Sequence, residues 1–277
     1  MSSVAALVQR HDRDRYQTAL FAPAARREAL FALYAFNYEI ASVREHVTQP
    51  TLGRIRLEWW RENIAAAFGS GPVRHHPVVE ALSRAAREHR LTRSHLDRLI
   101  DAREADLDDE PPATLAELEA YAEGTSSRLI CSALEVLGVR DAAAAAACHI
   151  GIAFALSGLL RALPMRVAGA HRPFVPAELA VRHGLDWGEA RRSGGSAQLR
   201  TAVGEIATIA AAHLGAARQI CPRPSHAALP ALLPAVIAEG SLRRLQRAGY
   251  NPFDPALQQR DPFQSWRLAV AVLRRRF

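Results

Sequence analysis

Four carboxylates stand at helical spacing near the middle of the sequence: Asp97 and Asp101 form a DxxxD pair, and Glu104 and Asp108 extend it. Steps of three and four residues put them on one face of a helix, and such a face can hold Mg²⁺, a hard cation that takes carboxylate oxygens. Arg93, Arg98 and Arg103 lie among them, which favours a solvated helix with local charge pairs. The histidines point to less. His75 and His76 precede Pro77 and match no metal-ligand spacing, while His149 and His213 fall in apolar stretches, where a hydrogen-bonded core histidine is expected. Cys131, Cys148 and Cys221 are far apart in the chain and form no CxxC pair, which argues against zinc and against a disulfide framework and fits a reducing compartment. No P-loop, GxGxxG or nucleophile motif is present.

The elements that must position these residues are helical. The chain has 277 residues, 49% of them hydrophobic, enough to bury a large core, and no Gly/Ser/Pro-rich linker divides it; one domain spanning 1–277 is expected. From Pro23 to Ile40 apolar residues recur at mixed spacings of two, three and five, with helix formers between them and no strand-like alternation, which reads as a buried helix. Pro50 stops that helix, and Thr51 is expected to cap the next. Pro77 opens a helix to about Arg90, Thr92 caps one to about Asp109, and Thr114 caps another that Gly138 closes. Asp141 begins an Ala-rich helix ending at Pro164. Shorter pieces follow Pro176 and Asp186, then helices over Ala197–Ile220, Ala227–Ala248 and from Pro262. No alternating β-branched run or Asn-Gly hairpin occurs, so the fold class is all-α.

Charge and hydropathy narrow the partners. The net charge is +7, and all 35 basic residues are Arg, a residue that binds phosphate bidentately. They are interleaved with Asp and Glu and no nucleic-acid module is visible, so a nucleic-acid partner is not expected. Ala142–Leu160 is uncharged, but its alanines, His149 and Ser157 make it a buried core helix rather than a membrane span. Met1–Arg15 lacks the apolar core of an export signal. The last segment pairs Phe263, Trp266, Leu268, Val270, Leu273 and Phe277 with Arg267 and Arg274–Arg276, an amphipathic pattern that suits either an anionic membrane surface or docking onto the bundle.

Several strings go further. Leu33-Tyr34-Ala35-Phe36-Asn37-Tyr38, Arg56-Leu57-Glu58-Trp59-Trp60-Arg61-Glu62, Asp106-Leu107, Tyr121 and Arg172-Pro173-Phe174-Val175-Pro176-Ala177-Glu178 follow in an order and spacing that resembles the squalene/phytoene synthase family over nearly the whole chain. The resemblance implies a terpenoid-synthase helical bundle around a central cavity, with the helices that begin near Pro23 and Asp141 facing each other. It also implies head-to-head condensation of isoprenyl diphosphates on Mg²⁺ held by two Asp-rich motifs. Both motifs are degenerate here. In the first, Asn37 and Tyr38 replace Cys-Arg, Ala41 and Ser42 replace an Asp pair, and Glu45 alone keeps a carboxylate. In the second, Ala155 and Gly158 replace amides, Arg161 matches, and Ala162 and Arg166 replace acids.

The same loss marks the branch of the family connected with mitochondrial complex I assembly. The chain is similar to that branch at Ala35–Ala41, Tyr121–Glu123, Leu134–Gly138 and Pro255-Ala256-Leu257-Gln258-Gln259. The resemblance implies a non-catalytic binding protein, associated with a membrane or with respiratory NADH dehydrogenase subunits, with no metal or cofactor. An active prenyltransferase, with Mg²⁺ on Glu45 and Glu39 or a remote acid, and a ligand-free helical scaffold stand as alternatives. Tyr34, Arg44, Arg161, Arg166 and Arg172 are the expected contacts for an isoprenoid diphosphate or anionic lipid. The expected location is the bacterial cytoplasm, peripheral on the inner membrane, or the mitochondrial matrix for an organellar protein.

Overall fold

In the computed structural model, residues 2–69, 74–140, 142–168 and 173–277 are described. The elements are α1 (Ser3–His11), α2 (Arg13–Ala19), α3 (Ala24–Ala41), α4 (Pro50–Phe68), α5 (Pro77–His89), α6 (Arg93–Arg103), α7 (Leu115–Ala122) and α8 (Arg128–Leu137). They continue as α9 (Ala143–Ala168), α10 (Ala177–Arg182), α11 (Trp187–Arg192), α12 (Ala197–Ile220), α13 (Leu229–Leu232), α14 (Pro234–Arg247), α15 (Pro255–Gln258) and α16 (Gln264–Arg274). No strand occurs among the described residues, in agreement with the all-α expectation. The buried apolar residues form one continuous cluster running from Val4 to Phe277.

The centre of the bundle is α9, which packs on α8, α12 and α14. It is long and apolar enough to cross a membrane by length and composition, but Ala143, Ala146, Ala147, Ile150, Ala153, Leu156 and Leu160 are buried in the protein core. The small residues on α9 and on α12 (Ala202, Ala207, Ala210, Ala217) let these helices lie close together. The α7–α8 connection is a π turn over Glu123–Ser127, and α9 meets it at Gly151. A Cβ at Gly151 would stand 2.4 Å from Ser127 Cα, so only glycine permits the approach. Ser127 closes the contact by donating its hydroxyl to Cys148 O at 2.7 Å. On the other side, Trp60 is buried and meets Phe36 and Trp59 edge-on, with ring centroids 5.4 and 5.0 Å away.

Local stop signals set most helix ends, and tertiary contacts moved the others. Gln49, not Thr51, is the residue before α4, because Pro50 takes the first helical position, where its missing N–H costs nothing. Thr92 makes no cap; its hydroxyl donates to Glu135 Oε1 at 2.5 Å, and its N–H goes to Glu135 Oε2 at 2.9 Å. The helix after it ends at Arg103 and passes into a 3₁₀ turn, Glu104–Leu107, rather than running to Asp109. Asp141 lies outside the described residues. α9 continues through Pro164 to Ala168, held by buried Leu163 and Val167 despite the lost amide bond. The expected helix over Ala227–Ala248 is divided into α13 and α14, each with a proline in its first turn, at Pro230 and Pro234.

Candidate functional site

The two motif helices, α3 and α9, are joined by the α1–α2 corner. On the α3 side, His11 stacks on Tyr38 with centroids 4.3 Å apart, and Tyr16 stacks on Phe31 at 5.3 Å. On the α9 side, the Arg15 guanidinium sits 4.8 Å from the Phe154 ring centroid, and Arg161 donates to Asp14 at 3.1 Å. Asp12 holds the corner itself: it accepts the Arg15 N–H at 3.1 Å, capping α2, and pairs with the Arg15 guanidinium at 2.7 Å. The space between the degenerate motifs therefore contains alternating charges, His11-Asp12-Arg13-Asp14-Arg15, most of them already answered by a neighbour.

Beside this corner opens a cleft of about 510 Å³, walled by α2, α14, α15 and the start of α16. Arg13, Arg161, Arg244 and Arg260 line it together with Asp14 and Asp261. Arg244 is committed to the carbonyls of Ala256 and Gln259, the latter at 2.8 Å, and so fastens the Pro255–Gln259 string to α14. Among the described residues, Arg161 is the one member of the expected ligand set that lines this cleft.

Tyr34 and Tyr38 stand at the corner, and the other described motif residues lie elsewhere. Tyr34 is 3% exposed against Thr18 and Arg15, and burial pushes its phenol up to about 12. Tyr38 is raised by burial and then by Glu45 and Glu39. Arg44 pairs with Asp109 at 3.0 Å. Arg166 lies over the Phe174 ring at 4.5 Å, a cation–π contact. Arg172 lies outside the described residues. Asn37 is buried with no partner for its Oδ1, Ala41 is half-buried, Ser42 donates to Glu39 O at 3.2 Å, and Glu45 is exposed. Ala155, Gly158 and Ala162 are half-buried along α9, and a Cβ at Gly158 would meet nothing within 4 Å.

These residues do not fit the Mg²⁺ that the family's motifs imply. Of the positions that would carry carboxylates, Ala41 and Ala162 have no donor oxygen, Ser42 is spent on a backbone carbonyl, and Arg166 brings positive charge. Asp12 and Asp14, the acids of the α1–α2 corner, are already ion-paired, and Glu45, the one motif carboxylate left, is exposed. The DxxxD face is mostly paired, and Asp108 lies exposed after the 3₁₀ turn. Asp97 pairs with Arg93 at 3.2 Å, as local spacing suggests, but Asp101 and Glu104 both hold Arg61 of α4, at 2.8 and 2.5 Å. Two residues past Glu104, Asp106 accepts from Tyr121 at 2.6 Å, and buried Arg103 donates to both Asp106 and Tyr121, at 3.1 and 3.0 Å. Among the described residues, no group of three His, Cys, Asp or Glu side chains has metal-binding geometry.

Two further constellations were not visible in residue spacing. His149 and His213 meet through their Nδ1 atoms at 2.8 Å, and His213 Nε2 reaches Glu119 at 2.7 Å, so both core histidines are hydrogen-bonded. Burial, and then His213, lowers the His149 pKa. Cys131 of α8 and Cys148 of α9 are neighbours, and a hydrogen bond from the Cys131 thiol favours the Cys148 thiolate and lowers its pKa.

A profile of squalene/phytoene synthases matches residues 8–274. The chain is 36% identical over 272 residues to NADH dehydrogenase (ubiquinone) complex I, assembly factor 6, of Rattus norvegicus, covering 98% of this chain and 81% of that one. It is 26% identical over 211 residues to a presqualene diphosphate synthase of Rhodopseudomonas palustris, 75% of this chain and 74% of that one. A crystal structure of a dehydrosqualene synthase in complex with ligand superposes with a TM-score of 0.84 at 18% identity, over 98% of this chain and 94% of that chain, and so shares the fold. A profile spanning nearly every residue, on the same bundle with its metal motifs worn away, leaves one conclusion: the chain belongs to the squalene/phytoene synthase family.

Proposed function

We propose that this protein is a non-catalytic member of its family that serves the assembly of a respiratory NADH dehydrogenase, at the membrane where that complex is built. The observation that carries the reading is the fate of the motif positions: Ala41, Ala162 and Arg166 stand where acids would hold Mg²⁺, and Asp14 is tied to Arg161 in the gap between them. Stabilising a departing diphosphate needs cationic charge held in place, and losing about 4 kcal/mol of that stabilisation slows a reaction roughly a thousandfold. The likeness to assembly factor 6, at 36% identity across 98% of the chain, supports the assembly role. On this reading the partners are NADH dehydrogenase subunits and a membrane face, either the bacterial cytoplasmic one or the matrix side of a mitochondrion, and the protein needs no cofactor. An isoprenoid diphosphate or anionic lipid is the ligand class that the arginines of the cleft suit.

The partial likeness to presqualene diphosphate synthase favours a second reading, an active prenyltransferase. Two measurements separate them. Deleting the gene in its own host should deplete the assembled NADH dehydrogenase on a native gel, and an unchanged complex would remove the assembly role. Purified protein with Mg²⁺, NADPH and farnesyl or geranylgeranyl diphosphate should release no squalene, phytoene or cyclopropyl intermediate. Metal-dependent product that disappears in Glu45→Gln would establish the synthase reading instead.

A further inference from the structure

α16 has two apolar faces, and only one is used. Leu268 is fully buried, and Ala271 and Val272 are packed against the core, where α16 meets α14. The opposite stripe is Phe263, Trp266, Val270 and Leu273, spaced at three and four residues and so aligned along the helix. Phe263 is 66% exposed, Trp266 69% and Leu273 84%, so these side chains stand outward as a ridge. Scattered exposed apolar residues need no explanation, but an aligned aromatic ridge does.

The ridge is held rigidly. Gln264 donates to Asp14 and to Gln17, both at 2.8 Å, and Gln17 donates to Ser265 at 3.2 Å. Arg267 is paired with Asp261, and Gly240 on α14 makes room for it: a Cβ there would stand 2.5 Å from the guanidinium. Arg275 adopts the left-handed conformation, φ 49°, which turns the chain back so that Phe277 is buried and its carbonyl accepts from Arg218 at 2.8 Å. Alongside the ridge, Arg274, Arg275 and Arg276 are exposed, and no carboxylate partner is found for them among the described residues. From Pro262 to Phe277 there is no Asp or Glu.

We infer that the outer face of α16 is a docking surface for an anionic lipid bilayer. Trp and Phe are the side chains that settle at the boundary between headgroups and acyl chains, and adjacent arginines find lipid phosphates there. An outward ridge inserts among lipids, whereas an acidic protein would have to supply a matching groove and give up its own hydration to seat it. The inference gives physical form to the membrane part of the proposed function and rests on that reading.

The test is flotation of the purified full-length protein with vesicles of phosphatidylcholine mixed with phosphatidylglycerol, and with phosphatidylcholine alone. The protein should float with the anionic vesicles and stay behind with the neutral ones, and salt should release it. Neutralising the three arginines (Arg274→Gln, Arg275→Gln, Arg276→Gln) should weaken binding roughly a hundredfold. Trp266→Ser with Leu273→Ser, at exposed positions that leave the core alone, should abolish it. Equal flotation on both vesicle types, unchanged flotation of the Trp266→Ser, Leu273→Ser variant, or capture of acidic NADH dehydrogenase subunits through this face with no flotation would each overturn the inference. If flotation fails while gene deletion still depletes NADH dehydrogenase, the docking face falls and the assembly role stands. If flotation succeeds while the complex is unaffected, the reverse holds.

Discussion

At the α1–α2 corner Arg15 is held by Asp12 at 2.7 Å and Arg161 by Asp14 at 3.1 Å, whereas at the far end of α16 the exposed Arg274, Arg275 and Arg276 have no carboxylate partner among the described residues. The two regions use the same side chain for opposite ends. Arg15, largely taken out of water, is answered by Asp12 and fixes the geometry of the corner, and the exposed Arg161 is steadied by Asp14. A cation left on an apolar ridge stays hydrated and available, and its energy is released only when an anionic partner arrives. The corner between the motif helices holds its arginines in ion pairs, while the C-terminal arginines leave their charge open at the surface.

The strongest way to break that contrast is inside the bundle. Asp106→Asn removes the charge that answers buried Arg103 and accepts from Tyr121, and it should cost about 3 kcal/mol in urea unfolding, since the Arg charge stays behind unpaired. A loss below about 1 kcal/mol would show that water already serves Arg103. Midway between the regions is Asp261, the carboxylate that holds α16 in place. Burial alone would push its pKa up, but the hydrogen bond from Arg267, then that from the Phe263 N–H, holds it below the usual carboxylate range.

The direction of that shift sets its pH dependence. A depressed folded pKa contributes stability that is present above the unfolded value, about 3.9, and is lost as pH falls through the folded one. Wild type should therefore exceed Asp261→Asn by about 1 kcal/mol at neutral pH, and the difference should shrink in acid below about pH 4. A difference that grows in acid would reverse the assignment. The smallest effect belongs to the open arginines: the Arg274→Gln, Arg275→Gln, Arg276→Gln variant should unfold within about 0.5 kcal/mol of wild type. A loss above about 1.5 kcal/mol would mean that they brace the fold, and the contrast between closed and open charge would collapse.

Residue identity and short-range chemistry determined the all-α class and most helix ends. Pro77, at the first position of α5, Thr114, accepting the Glu117 N–H at 3.2 Å, and Gly138, left-handed after α8, each act on backbone groups within one turn, so their effect is readable in place. The erosion of the metal motifs was equally legible, because Ala41, Ala162 and Arg166 cannot supply carboxylate oxygen wherever they are placed. Tertiary structure alone decided that Asp101 and Glu104 answer Arg61 rather than Arg98, that Cys131 reaches Cys148, and that His149 and His213 share a hydrogen bond. It also placed His11–Arg15 between α3 and α9, a charged run whose only visible signal was the tight alternation of its signs. The physical reason is common to all of them: helical period tells which side chains share a face, but which face of a distant helix they meet depends on how the whole bundle closes its core.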